Sequence, residues 1–427
     1  MGQVLGLQIP FQKSKNQSMK TILILICAGL FATNAWADGE VKQGVLRSLV
    51  EGNTDHFYLS DEKANFKPNV RSRLILDLNF DDNYQSTNRQ NELRETRANG
   101  RFFSTFNLSR NLFISSFLRL EESLQASTTS RRNAASDGGG SRSFENHGAY
   151  FEELSLTYDS KNRALIAGKF NSNYGRAWRQ GRGIWTGEIA NNYRQQEKLG
   201  FGTILRAGNS KTTGKYNFGF SAFTNDRKNL DNSVITKRDS NHKSDAKPGD
   251  TRSLESYVAS LDIDFDFSPQ EKLTYHFAYT NLAINKRQSI VEKAKIDDQK
   301  GFVASLNYKY PLAKNFDLDG LIEYSNTKNF GGDSDISESY LTANLIAKIY
   351  KNWNVTLGNS SRKNIEIDRN GFDQNSSEIS AGYDFDKTIF FDRLALQVGH
   401  KNQRTNYKNS IETQNVLGVL LRYYKNF

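Results

Sequence analysis

Apolar and polar positions alternate along this chain in paired runs joined by a turn or short loop, and the pairing recurs eight times. The clearest pair begins with Tyr257, Ala259, Leu261, Ile263, Phe265 and Phe267 on one face and Ser256, Ser260, Asp262, Asp264 and Asp266 on the other. Ser268-Pro269-Gln270-Glu271 makes a tight turn, and Leu273, Tyr275, Phe277 and Tyr279 carry the apolar face back. Successive side chains of a strand point to opposite faces, so period two predicts strands with one apolar side. Charged residues on the other side, repeated along the chain, predict an all-β fold: a closed antiparallel transmembrane β-barrel, whose closure satisfies every backbone group within a bilayer.

Counting the runs predicts about sixteen strands, an even number as bacterial single-chain barrels require. Val70, Leu74, Leu76, Leu78 and Phe80 form the outward face of the first, with Arg71, Arg73 and Asp77 inward. Later outward faces read Leu112, Ile114, Leu118, Leu120; then Tyr150, Leu154, Leu156, Tyr158; then Phe302, Ala304, Leu306, Tyr308, Tyr310; and last Leu417, Val419, Leu421, Tyr423, Phe427. Short connections at 109–111, 159–162, 208–213, 268–271, 311–315, 351–352 and 386–387 alternate with longer ones at 81–94, 125–147, 171–196, 225–252, 286–298, 329–338, 364–376 and 402–412. Short periplasmic turns and long extracellular loops are the outer-membrane arrangement. A soluble β-sandwich also alternates, but it does not produce this loop asymmetry. Pro68, Pro248, Pro269 and Pro311 fall before strands or in connections, where no ladder bond is lost. Aromatic residues such as Tyr158, Tyr216, Phe265, Tyr310, Trp353, Phe385 and Phe390 crowd the strand ends beside the short turns, as an interfacial girdle does.

Composition adds the compartment. Met19-Lys20, the apolar stretch 21–32 and Ala35-Trp36-Ala37 read as a signal peptide over 19–37, with 1–18 an upstream extension. The one cysteine, Cys27, lies inside that signal, so the mature chain has no thiol. Removing residues 1–37 takes Lys13, Lys15 and Lys20 and no acid, which lowers the formal charge from +10 to +7. Beyond the signal no run of about 18 apolar residues supplies a transmembrane helix. Residues 38–68 form a periplasmic lead-in, either flexible or carrying a short helix through Val41, Val45, Leu46 and Leu49, and 69–427 form the barrel. The expected location is the Gram-negative outer membrane, with outer-membrane lipid as a partner and no nucleic acid.

A barrel of about sixteen strands leaves an aqueous channel, so selectivity falls to whatever narrows it. The segment 171–196 has the composition for this role, with Arg176, Arg179, Arg182 and Arg194 among Tyr174, Trp178, Trp185 and Tyr193, and glycines that permit a folded path. As a constriction loop it would repel cations and favour anions; as an ordinary solvated loop it would do neither. Inward Arg71, Arg73, Arg119, Lys169, Arg206 and Lys309 face Asp77, Glu121, Asp262, Asp264 and Asp266, a transverse field that favours polar solutes. Asp262, Asp264 and Asp266 lie near a short turn and are expected outside the constriction.

The runs EELSLTY (152–158), AGKFNSNYGRAW (167–178) and NNYRQQEKLGFG (191–202) resemble the Gram-negative porin superfamily, especially its phosphate-selective-porin-like members. In such porins a strand ending in Gly-Lys-Phe leads into the loop that folds into the barrel, and Glu-Lys-Leu-Gly brings the chain back. The resemblance implies a homotrimer of barrels. Ser172-Asn173 stands where those porins often carry a proline, and no lysine-dense ladder accompanies the match. Phe427, Tyr423 and Leu421 fit the aromatic, alternating terminal strand that the barrel-assembly machinery reads, with Lys425 departing from it.

The expected function is a porin passing small hydrophilic or anionic solutes by passive diffusion, with a weak to moderate anion preference. The alternative is a receptor or adhesin using the long outer loops; a barrel enzyme is more remote. His56, His147, His242, His276 and His400 sit in no catalytic motif and at no metal-ligand spacing, so neither catalysis nor a cofactor is expected.

Overall fold

The computed structural model describes residues 66–122, 140–145, 147–181, 183–225, 247–251, 253–284, 296–350, 352–367 and 371–427. The upstream extension, the signal segment, nearly all of the lead-in, and Cys27, His56, Arg182 and His242 lie outside them.

In chain order the strands are β1 (Asn69–Ser86), β2 (Leu93–Asn107), β3 (Leu112–Glu122), β4 (Gly140–Ser143), β5 (His147–Asp159), β6 (Arg163–Phe170), β7 (Lys198–Asn209), β8 (Gly214–Asn225) and β9 (Ser256–Asp266). They continue with β10 (Lys272–Leu282), β11 (Gln299–Ala313), β12 (Phe316–Lys328), β13 (Ile336–Ile349), β14 (Trp353–Glu366), β15 (Phe372–Phe385), β16 (Arg393–Tyr407) and β17 (Ile411–Asn426). All belong to one 17-stranded sheet. Sixteen of them pair antiparallel with their neighbours, and β1 pairs with β17, so the sheet closes on itself. The extra strand, β4, lies parallel on the loop end of β2 and pairs Leu93 with Gly140.

Burial inverts what a water-soluble fold shows. Val70, Leu78, Phe201, Leu205, Phe218, Leu357 and Ile379 are exposed, whereas Asp77, Glu152, Lys169, Asp262, His276, Glu323 and Glu338 are buried. Apolar side chains outward and charged ones inward match a hydrocarbon exterior and a polar interior. Rings pack on one another at both ends, along one strand or across neighbouring strands. Phe265 and Phe267, Tyr308 and Tyr310, and Trp353 and Tyr383 lie beside the short turns; Phe220, Tyr257 and Tyr279, and Phe302 and Tyr324, lie toward the loops.

The structure departs from the alternation in three places. First, β3 pairs Phe117 with Glu153 but Leu118 with Phe151, so Glu152 is the extra residue of a β-bulge. The bulge shifts the parity of β5, and Tyr150, expected on the outward face, is buried with its hydroxyl donating to Glu121. Second, Pro311 lies inside β11 rather than in its connection, beyond Lys309, where the ladder with β10 ends, and next to a register shift between Pro311 and Ala313 in the ladder with β12. Third, three expected loops are largely ladder. The β1–β2, β14–β15 and β16–β17 hairpins stay paired as far as Asp82–Arg94, Asn364–Phe372 and Asn406–Ile411.

Candidate functional site: the loop inside the barrel

Residues 171–197 leave β6 and re-enter at β7 without crossing to the outside. Their stem is tied by Ser172 N–H to the Gln195 carbonyl at 3.0 Å and by Glu197 N–H to Asn171 Oδ1 at 2.9 Å. The bulge described above feeds this stem. Because Glu152 is the extra residue, two consecutive carboxylates turn inward, and Asn171 Nδ2 donates to Glu152 at 2.6 Å and to Glu153 at 2.5 Å. Lys169, fully buried, pairs with Glu197 at 2.9 Å.

From the stem the loop runs along the inner wall. Arg176 Nη2 reaches Asp262 of β9 at 2.7 Å, and Asn173 Nδ2 donates to the same carboxylate at 2.9 Å. The amides of Arg176 and Ala177 donate to Glu323 of β12 at 2.6 and 2.9 Å, at the start of the short helix α1 (Ala177–Gln180). Tyr193 donates to Glu323 as well. Burial, with the Glu323 carboxylate beside it, pushes the Tyr193 phenol well above its ordinary range, so it remains the donor. Farther on, Glu378 of β15 accepts from Ile184 N–H at 2.5 Å, Trp185 N–H at 2.9 Å and Thr186 Oγ1 at 2.9 Å. At the tip Trp185 Nε1 donates to Asp81 of β1 at 3.1 Å, and Glu188 pairs with Lys401 of β16 at 2.7 Å.

Wall carboxylates thus staple the loop from β9 round to β1. A buried apolar cluster backs them, in which Val258, Ala278, Val303 and Leu321 of the wall meet Tyr174, Ala177, Ile189 and Ala190 of the loop. Gly175, at φ 75°, makes the bend that this path needs, and a Cβ there would stand 2.7 Å from the Tyr193 ring.

Apart from Arg182, which lies outside the described residues, the loop residues singled out by sequence have definite places. Arg176 is 1% exposed and held against Asp262, so that carboxylate lies under the loop and not outside the constriction as expected. Arg179 lies between Glu152 and Glu153, at 3.5 and 3.3 Å, and stacks on Trp178 at 4.2 Å from the ring centre. Arg194 donates to Asn191 Oδ1 at 3.2 Å and lies 6.0 Å from the Trp178 ring centre; among the described residues it pairs with no carboxylate. Burial and the neighbouring Arg119 lower its guanidinium from the usual arginine value, and the group stays charged. Tyr174 is buried, with its hydroxyl 3.5 Å from Ser325 Oγ.

Of the wall cations, Arg119 pairs with Glu121 at 2.7 Å and also with Glu152, Arg206 with Asp159 at 2.5 Å, and Lys309 with Asp319 at 3.8 Å. Arg73 Nε donates to Asn426 at 2.8 Å, and Arg71 is the inward residue before it on β1. Thr274 and Asn217 donate to Asp264, and Lys272 pairs with Asp266. Asp77 binds both Arg101 and Arg422, at 2.6 Å each. At the closing seam Leu421 and Tyr423 pair with Leu78 and Leu76 of β1, and Phe427 exchanges backbone bonds with Ser72.

Sequence reasoning missed Glu323, Glu378, Asp81 and Lys401, the wall side of the staples. The signal was present in the inward apolar residues Val258, Ala278, Val303 and Leu321. Apolar positions that break an inward polar row mark the wall strips that a segment inside the ring covers.

Fold and site together define a closed β-barrel with an inserted loop along its inner wall. No protein-family model matches the chain, and no curated protein matches it. Solved structures do. OmpTdeltaL8, a loop-deletion mutant of the Vibrio cholerae outer-membrane protein OmpT, aligns at TM-score 0.46 and 10% identity, over 84% of this chain and 99% of its own. The outer-membrane channel DcaP of Acinetobacter baumannii aligns at 0.48 and 12%, over 84% and 97%. An anion-selective porin from Comamonas acidovorans aligns at 0.44 and 12%, over 84% and 99%. The barrel assignment rests on the strand pairing above.

Proposed function

We propose that this protein is an outer-membrane porin that lets small hydrophilic solutes diffuse passively through its lumen. The observation that carries the reading is the loop at 171–197, held inside a sixteen-strand ring by Asp262, Glu323 and Glu378. A ring of that size is wide enough for water, and an inserted loop reduces it to solute dimensions. The inverted burial supports insertion in a bilayer, and the porin resemblance in sequence supports the Gram-negative outer membrane and a homotrimer.

We also propose a weak to moderate anion preference. Arg176 and Arg179 each lie within salt-bridge distance of a carboxylate, whereas Arg194, among the described residues, does not and feels Arg119 as well as Glu121 and Glu152. A charge inside a narrow pore is screened less than one on an outer loop. Reconstitution of purified protein in a planar bilayer tests both statements. Stepwise ohmic conductance with chloride favoured over potassium in a KCl gradient is expected. A silent bilayer would overturn the channel, and a cation-selective one the preference.

A further inference from the structure

A second group of apolar side chains faces the lumen, away from the strip that the loop covers. Phe103 of β2 stacks on Phe117 of β3 at 4.3 Å, and Phe113 of β3 clusters with Ala164 of β6 and Ile204 of β7, with Ile166 against them. Ala164 and Ile204 each precede an exposed residue of the outer wall, Leu165 and Leu205, so they and their paired partners point inward. Among the described residues, none beyond Phe170 belongs to this cluster, and the loop's own apolar cluster lies on β8 to β13. Side chains on an open wall of a water-filled lumen stay partly accessible. Phe113, Phe117 and Ile204 are only 6, 5 and 5% exposed.

Two further features mark this strip as a contact surface. Gly202 pairs with Ile166 and Gly219 with Ile204, so β7 and β8 present bare backbone inward beside the cluster. Glycine within a strand marks a place where another backbone approaches closely. The hydroxyl of Ser115, between Phe113 and Phe117, is buried with no partner among the described residues, which is costly unless something supplies one.

We propose that this strip is the docking surface for the chain's own segment 43–65, which leads into β1 and lines the turn-side half of the lumen. The described chain begins beside the strip: Asn69 pairs with Asn107, and Asn107 with Phe113. Asn69 Oδ1 accepts from Asn107 Nδ2 at 2.8 Å, and Asn69 Nδ2 donates back to the Lys67 carbonyl at 3.2 Å. That inward side chain draws the preceding backbone to the lumen side. The strip ends on β7, five strands round from β1, or about 24 Å along the wall. The 23 residues of 43–65 cover about 35 Å even when wholly helical, so they reach. They also carry the apolar partners. Val45, Leu46, Leu49 and Val50 share a helical stripe, and Phe57 and Leu59 follow at strand spacing. The inference goes beyond the channel reading and rests on it only for the effect on current.

The test uses the full chain carrying Cys27→Ser and Ile204→Cys, in detergent and in planar bilayers. The introduced thiol should resist a water-soluble maleimide, and deleting 43–65 should remove that protection and raise the unit conductance. With the segment present, a second cysteine is placed in turn at Val45, Leu46, Leu49, Phe57 and Leu59 and oxidised with copper phenanthroline. A disulfide should form with Ile204→Cys from at least one of these positions, and with the outward Leu205→Cys from none. That arm needs no deletion, so it decides the matter if the shortened chain does not fold. A thiol that reacts with the segment present, one equally protected without it, or the absence of any cross-link to Ile204→Cys overturns the proposal. Protection lost over a silent bilayer leaves the docking standing and removes the channel reading instead.

Discussion

The indole of Trp185 lies directly on the backbone of Gly418 in β17: a Cβ at that glycine would stand 2.2 Å from Cζ2 of the ring. The same indole donates to Asp81 of β1, so the loop tip rests on the seam where the barrel closes. Gly418→Ala therefore cannot be accommodated without moving the tip. Overpacking of this kind costs about 1–3 kcal/mol. Here the strain is relieved by lifting the loop, so a changed unit conductance with little loss of barrel stability is the expected result in bilayers and melting curves. An unaltered conductance would show that the tip does not border the channel.

Glu323 and Glu378 should behave as staples. Each accepts two backbone amides of the loop, and removing a buried acceptor leaves those donors unsatisfied at about 1–3 kcal/mol. Glu323→Ala and Glu378→Ala should give noisy, flickering currents and faster proteolysis within 171–197, while circular dichroism keeps its β-signature. Quiet channels with a protected loop would contradict this.

Selectivity should respond unequally to the loop arginines. Arg194→Ala should move the reversal potential toward neutrality, because that guanidinium is only half-buried and, among the described residues, forms no salt bridge. Arg176→Ala should move it less, because that guanidinium is buried under the loop against Asp262 and away from a passing ion. Equal shifts in a KCl gradient would mean that the pairing does not decide the field.

The exterior makes its own prediction. Leu345 is an exposed residue of β13 between outward Leu341 and Ile349, and an arginine near the bilayer midplane of a barrel costs about 2–4 kcal/mol. Leu345→Arg should lower the folded fraction in lipid vesicles, as read from gel mobility. Lys363→Arg, at the loop end of β14, should not. Equal yields from the two would argue against lipid around this wall.

Alternation made the ring legible wherever strands cross an apolar layer, because each outward residue there must be apolar. Above that layer both faces are polar. The signal stops at Phe80 and Asn364 although the ladder runs on, and loops were therefore expected where hairpins stand. Glu152-Glu153 was illegible for another reason: a bulge inserts one residue without changing residue type, and only the pairing of β3 reveals it. The segment that enters the barrel could be recognised from its composition. The wall carboxylates it meets could not, because each is distant in sequence, as Glu378 is from Trp185.

Closure by β1 and β17 constrains how this molecule can be made. Asp77 and Arg422, 345 residues apart, must meet before the sheet has no free edge. Until then at least one strand presents unpaired amides and carbonyls beside an apolar face, a template for any other chain. Fifteen strands are therefore no partial success but an adhesive surface. Synthesis of the final hairpin and safe burial of the first strand become one event, and a cell making this chain must keep its leading edge occupied for the whole interval between them.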